Sequence, residues 1–174
     1  MIRLYAADMD GWRYDAVRER AVSFLDGEAA ERLSLYRNET AALHSLVSVL
    51  LAGAALKREG IPRGTRSMFR DDYGKPFVEG TPVHFNVSHS GRWCVCAVSS
   101  LPVGVDVQGH RVISRAVAQR FYSDEEVRRL DALAGEEYTL EFFRIWSLKV
   151  RYIKRIGKGL SHLLSSFSVP PASG

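Results

Sequence analysis

Apolar residues recur along the chain in two rhythms. Residues 2–7, "IRLYAA", alternate with the period of two that marks a half-buried strand. Residues 11–25 read as a helix. The longest helical stretch covers 28–59, and its middle, Ala41 to Leu56, is apolar nearly all round, which predicts a buried helix ended by Gly60-Ile61-Pro62. His44 lies inside that apolar run and reads as a core histidine rather than a ligand. A turn-rich stretch with Gly74, Pro76, Gly80 and Pro82 follows. Three short strands then read at 84–90 "HFNVSHS", 93–99 "WCVCAVS" and 103–108 "VGVDVQ". Residues 114–135 read as two helices broken at Tyr122-Ser123, with Ser123 and Glu126 spaced as a capping box. The last helix begins at Glu137 and is stopped by Gly157 and Gly159. "SSFSV" at 165–169 reads as a strand, and the final five residues as a loose tail.

The order strand, helices, strands, helices, strand predicts an α+β fold with two similar halves meeting near residue 104. At 174 residues the chain can bury a sizeable core. Hydrophobic residues make up 46% and charged residues 25%, as in an ordinary globular protein. A formal charge of +4 is too small an excess for a dedicated nucleic-acid binder. The apolar runs read as too short for a membrane span, and the first residues lack a signal-peptide pattern, so a cytoplasmic location is expected. Cys94 and Cys96 fall on one face of a strand; two cysteines make no zinc site, so both read as reduced core or half-buried residues.

Three stretches could carry chemistry. In "VGVDVQ", Asp106 interrupts an apolar strand and Gln108 shares its face. A carboxylate there is costly unless paired or bound to a cation, and Mg²⁺ accepts few carboxylates when water and substrate phosphates complete its shell. The competing reading is an Asp that caps the next turn. "NVSHSGRW" places Ser88, His89 and Ser90 at a strand end, where hydroxyls, an imidazole and backbone amides can cradle phosphate or simply form a polar turn. Adjacent strand residues point to opposite faces, which argues against Ser88 and His89 as a nucleophile–base pair. "WSLKVRYIKRIGKGL", residues 146–160, is amphipathic: Trp146, Val150 and Ile153 make an apolar side, with Lys154 and Lys158, and Arg151 and Arg155, at i,i+4. Its cationic side suits solvent, DNA, a membrane surface or one small phosphate-rich ligand.

In order, "GKP", "HFNVSHSGRW", "VGVDVQ", "FYSDEE" and "FFRIWSLKVRYIKRIGKGL" resemble the 4′-phosphopantetheinyl transferases of the surfactin-synthetase-activating type. The resemblance implies two pseudo-symmetric α+β halves, 1–104 and 105–174, with the active site between them. It implies Mg²⁺-dependent transfer of 4′-phosphopantetheine from coenzyme A to a serine of an acyl or peptidyl carrier protein, releasing 3′,5′-ADP. By motif, Lys75, Ser88, His89, Lys149 and Lys154 match coenzyme A contacts. Asp106 and Lys154 match catalytic positions, and Asp106 and Gln108 match metal-binding ones.

The chain departs from the family pattern at three points. Glu is usual where Gln108 and Val150 stand; Gln108 still offers a carbonyl oxygen, whereas valine offers neither a metal ligand nor a proton site. Relatives also continue past "SFSV", so the second half is expected to be C-terminally shortened, a monomer whose incomplete sheet leaves an edge open to dimerisation. The alternative expectation is a catalytically impaired protein of the same fold that binds coenzyme A or a carrier.

Overall fold

The alternating opening residues form β1 (Ile2–Asp8), and the computed structural model, which describes residues 1–25, 27–61, 68–72, 74–156 and 164–172, pairs it antiparallel with β5 (Trp93–Ser99). β4 (His84–Ser90) pairs with the other edge of β5, giving the order β1-β5-β4. Gly91, at φ +56°, opens the two-residue turn from β4 to β5, a conformation that suits glycine. A separate hairpin, unforeseen from sequence, joins β2 (Met68–Arg70) to β3 (Pro76–Val78).

Helix α1 (Tyr14–Ala21) runs into a single 3₁₀ turn at Val22–Phe24. The stretch read as one helix from 28 to 59 is two, α2 (Gly27–Ser34) and α3 (Glu39–Arg58). Asn38 causes the break. Its backbone is extended and its side chain accepts from the Ala41 amide at 3.0 Å, an N-cap that starts α3 afresh. Helix α3 packs across one sheet face: Ala52, Ala55 and Leu56 meet Phe85, Cys96 and Val98. It is buried on one side rather than all round, since Ala54 is exposed. Among the described residues α3 alone has the length and composition to cross a bilayer, yet here it covers a sheet. Cys94 and Cys96 are free and fully buried, as expected, and burial pushes both thiols up, Cys96 to about 12.

From residue 100 to 114 the chain has no regular structure, so "VGVDVQ" is not a ladder strand. Helices α4 (Arg115–Phe121), α5 (Asp124–Asp131) and α6 (Gly135–Ile156) follow. They share a core of Tyr122, Leu130, Phe142, Phe143 and Ile145. The Ser123–Glu126 capping box forms as expected. The glycines expected to stop α6 lie outside the described residues. The expected strand at 165–169 is instead a 3₁₀ turn, Leu164–Ser166, and irregular chain. The Val169 amide there donates to the Glu126 carboxylate at 2.9 Å, not to a neighbouring strand. The fold is thus mixed helix and sheet, and among the described residues every strand precedes residue 100.

Candidate active site

β4 alternates, so Asn86, Ser88 and Ser90 leave one face and Phe85, Val87 and His89 the other. The polar face captures the chain that follows. Asn86 Oδ1 accepts from the Val105 amide at 2.9 Å, Ser88 Oγ from Val107 at 3.3 Å, and Ser90 Oγ from Gly109 at 2.9 Å. Side chains spaced by two thus satisfy backbone amides spaced by two, in place of a strand's carbonyls. The partners of these amides are side chains, so the strand read in "VGVDVQ" does not form.

This lashing delivers Asp106 to Ser88, whose hydroxyl donates to Asp106 Oδ1 at 3.0 Å. The carboxylate is only 2% exposed. Gln108, on the same side, donates its amide to Asp106 Oδ2 at 2.9 Å. Lys154, near the end of α6, completes the group. Its ammonium donates to Asp106 Oδ1 at 2.8 Å, Ser88 Oγ at 3.0 Å and the Val105 carbonyl at 3.1 Å. Three chain segments distant in sequence therefore converge on one ion pair that still reaches solvent, Lys154 being 28% exposed.

His89 stands on the opposite face of β4, exposed, with its ring 4.6 Å from that of His44. Partial burial holds the His89 imidazole below the usual histidine range, and His44 and Lys154 push the same way. His44 is not the core residue expected. It is partly exposed, and its Nε2 lies 2.8 Å from the Gly91 carbonyl in the β4–β5 turn. Only knowledge of which α3 face meets β4 would have revealed that.

Two of the expected ligand contacts have partners within the chain. Lys149 is fully buried, ion-paired to Glu126 at 2.8 Å, and donates to the Leu164 carbonyl at 2.7 Å and to that of Phe167. Burial lowers its pKa, Glu126 opposing. The enclosed ammonium ties residues 164–167 to α5 and α6. The capping-box spacing foretold Glu126 as a cap but not as this counter-ion. Lys75 is partly buried, its ammonium 2.7 Å from the Lys154 carbonyl, 3.2 Å from that of Arg155 and 3.3 Å from that of Val103. It meets α6's backbone, not the Asp106 carboxylate.

Val150 is buried on α6 one turn before Lys154. Gly104 lets the linker touch α6 directly: a Cβ there would lie 2.1 Å from the Arg151 carbonyl oxygen. Among the described residues no group of three or more His, Cys, Asp and Glu is gathered to hold a metal.

Comparison with known proteins covers nearly the whole chain. Residues 13–101 match the N-terminal 4′-phosphopantetheinyl transferase family and residues 102–173 the 4′-phosphopantetheinyl transferase superfamily. The 4′-phosphopantetheinyl transferase Sfp of Bacillus subtilis (strain 168) is 35% identical over 170 residues, covering 97% of this chain and 76% of the relative. The 4′-phosphopantetheinyl transferase psf-1 of Bacillus pumilus is 38% identical over 148 residues, 84% of this chain and 63% of the relative. The gsp enzyme of Aneurinibacillus migulanus is 38% identical over 133 residues, 76% and 56% of the two chains. With matches of this extent meeting at the linker that carries Asp106, the chain belongs to the 4′-phosphopantetheinyl transferase superfamily.

Proposed function

We propose that the protein moves 4′-phosphopantetheine from coenzyme A to a serine of an acyl or peptidyl carrier protein, at the cleft where β4, residues 105–109 and α6 meet. The observation that carries this reading is the Lys154 ammonium held between Ser88 and Asp106. A cation fixed before the reaction stabilises charge that moves along a pyrophosphate without reorganising at that moment. In the transfer, the carrier serine oxygen bonds to the β-phosphorus and the bond from that phosphorus to its bridging oxygen breaks. 3′,5′-ADP leaves, and the serine proton passes to solvent water.

Each residue of the cleft has a place in that scheme. Lys154 faces the leaving phosphate, Ser88 orients both Lys154 and Asp106, and His89 offers its imidazole to the 3′-phosphate. Mg²⁺ would be held largely by its substrate, with Asp106 offering one carboxylate and Gln108 its amide oxygen. When bound, the metal neutralises pyrophosphate charge. With valine at 150, the chain supplies no carboxylate base one turn before Lys154. A missing positioned base costs roughly 10²–10⁴-fold in rate. The same reading takes residues 1–104 and 105–174 as two halves flanking the cleft, supported by family matches that meet between residues 101 and 102.

Intact-mass analysis of an apo carrier protein, incubated with the full chain, coenzyme A and Mg²⁺, tests the proposal. A phosphopantetheine-sized gain that chelation abolishes is the expected result. No gain, with wild-type carrier modified by a control transferase, overturns it.

A further inference from the structure

Residues 103–110 lie between β4 and α6 and are fastened on both sides. The fastening to β4 ends at Gly109, whose amide donates to Ser90 Oγ at 2.9 Å; β4 itself stops at Ser90. On the other side, Lys154 donates to the Val105 carbonyl at 3.1 Å and to Asp106 Oδ1 at 2.8 Å. A further contact with α6 comes four residues after Asp106. The His110 ring stacks on that of Phe143, with centroids 5.3 Å apart and planes inclined at 17°. Phe143 is buried in the core that α4, α5 and α6 share, so the exposed imidazole rests on a fixed surface. Beyond it Arg111 and Val112 are exposed, and Ile113 is the next residue packed against that core.

Lys154 and Phe143 thus anchor a short extended segment that runs opposite to α6. The helix rises about 16 Å between them, and the four steps from Asp106 to His110 reach about 13 Å when extended. Helical side chains lean toward the N-terminus, and the long Lys154 closes the difference. The segment therefore has little excess length. Gln108 sits midway along it, and its amide donates to Asp106 Oδ2 at 2.9 Å, while Ser88 and Lys154 donate to Oδ1.

We propose that His110 is a positioning residue: by stacking on Phe143 it holds the far end of residues 105–110 along α6 and so keeps the Gln108 amide on Asp106. This rests on the reading of the Asp106–Lys154 pair as the transfer site. β4 holds the amides of Val107 and Gly109 from one side only. Without the stack, residues 110–112 lose their hold on α6 and Gln108 is free to leave Asp106 Oδ2. A stacked aromatic pair favours the held arrangement over the loose one by about two- to tenfold. Transfer falls by that factor, because only the held arrangement presents Asp106 and Gln108 together.

The test compares His110→Ala, His110→Phe, Gln108→Ala, the double variant His110→Ala/Gln108→Ala and Asp106→Asn in the full chain, by steady-state transfer with carrier and coenzyme A varied. His110→Ala should lower kcat by about two- to tenfold, and His110→Phe, which keeps the stack without ring nitrogens, should restore it. In the Gln108→Ala background His110→Ala should add nothing further, since it acts through Gln108. The Gln108 side-chain amide resonance, assigned by its absence from Gln108→Ala, should move in His110→Ala and return in His110→Phe. Wild-type kcat in His110→Ala, an unmoved Gln108 resonance, or a full additional loss in the Gln108→Ala background overturns the inference. So does His110→Phe as slow as His110→Ala, which would give the role to the imidazole nitrogens, or a raised KM for the carrier with kcat retained, which would make His110 a carrier contact. If His110→Ala does not fold, His110→Leu, which covers Phe143 without stacking, takes its place with the same outcomes. Asp106→Asn separates the two readings: wild-type turnover there rejects the site itself, whereas abolished turnover there with wild-type kcat in His110→Ala rejects only the role of His110.

Discussion

Replacing Lys154 by methionine isolates what the central ion pair contributes. The substitution keeps the length of the side chain but removes donors from Asp106 Oδ1, Ser88 Oγ and the Val105 carbonyl. Asp106 then stands at 2% exposure without its cation, with the Ser88 hydroxyl and the Gln108 amide still donating to it. Breaking a buried pair from one side typically costs about 3–5 kcal/mol. Because the lysine end is 28% exposed and partly screened, the lower bound of about 3 kcal/mol applies. For a chain of this size that lowers Tm by roughly 6–12 °C. Asp106→Asn should cost less, about 1–2 kcal/mol, since water can reach the orphaned ammonium. The double variant should be less destabilised than the sum of the two by about 1–2 kcal/mol, because it buries no uncompensated charge. Urea unfolding followed by tryptophan fluorescence measures all three, and the intact-mass assay reports the loss of transfer in each. Additivity within about 0.5 kcal/mol would show that the two side chains are not coupled and refute the reasoning.

Three further outcomes are expected. Lys149→Met should destabilise by about 3–5 kcal/mol, because it strands the fully buried Glu126 carboxylate, yet coenzyme A Kd of the folded variant should match wild type; a raised Kd would return Lys149 to the ligand site. His89 titrates below its unfolded value, so the unfolded chain takes up the proton first: stability is full above about pH 6.5, falls as pH drops toward the folded value, and His89→Asn should flatten that slope in urea titrations between pH 7 and 5. Val150→Glu should raise the transfer rate by at least about tenfold by placing a carboxylate one turn before Lys154, while lowering Tm because the position is buried; an unchanged rate in a folded variant rejects that role.

Local rules reach far along this sequence. Period-two alternation locates β1, β4 and β5, and the Ser123–Glu126 spacing marks the capping box. What stays hidden is decided by which surfaces meet. His44 sits among apolar neighbours in sequence, but it is on the side of α3 that faces the β4–β5 turn. Lys149 and Lys154 lie five residues apart on one helix, so they point to different sides of it: one into a closed core, the other to Asp106 and Ser88. A motif can mark both as important without distinguishing brace from ligand. Asn38 is a local signal masked by its surroundings, an N-cap followed by Glu39 in a stretch whose continuous apolar rhythm suggests a single helix.

The extended linker shows why a correct pattern can still yield the wrong element. Residues 103–108 alternate as a strand does, and a strand normally carries that pattern while pairing backbone to backbone. Here Asn86, Ser88 and Ser90 take the place of a partner's carbonyls. A backbone ladder would have fixed the linker through main-chain groups alone. The side-chain ladder fixes the linker and, through the same Ser88 oxygen, binds Lys154. Ser88→Ala should therefore lower the urea midpoint and the transfer rate together, and a variant that loses transfer at a wild-type midpoint would separate the two roles. The attachment of the linker and the assembly of the site are one arrangement, because the Val107 amide and Asp106 each lose a partner that no neighbouring residue of β4 can replace.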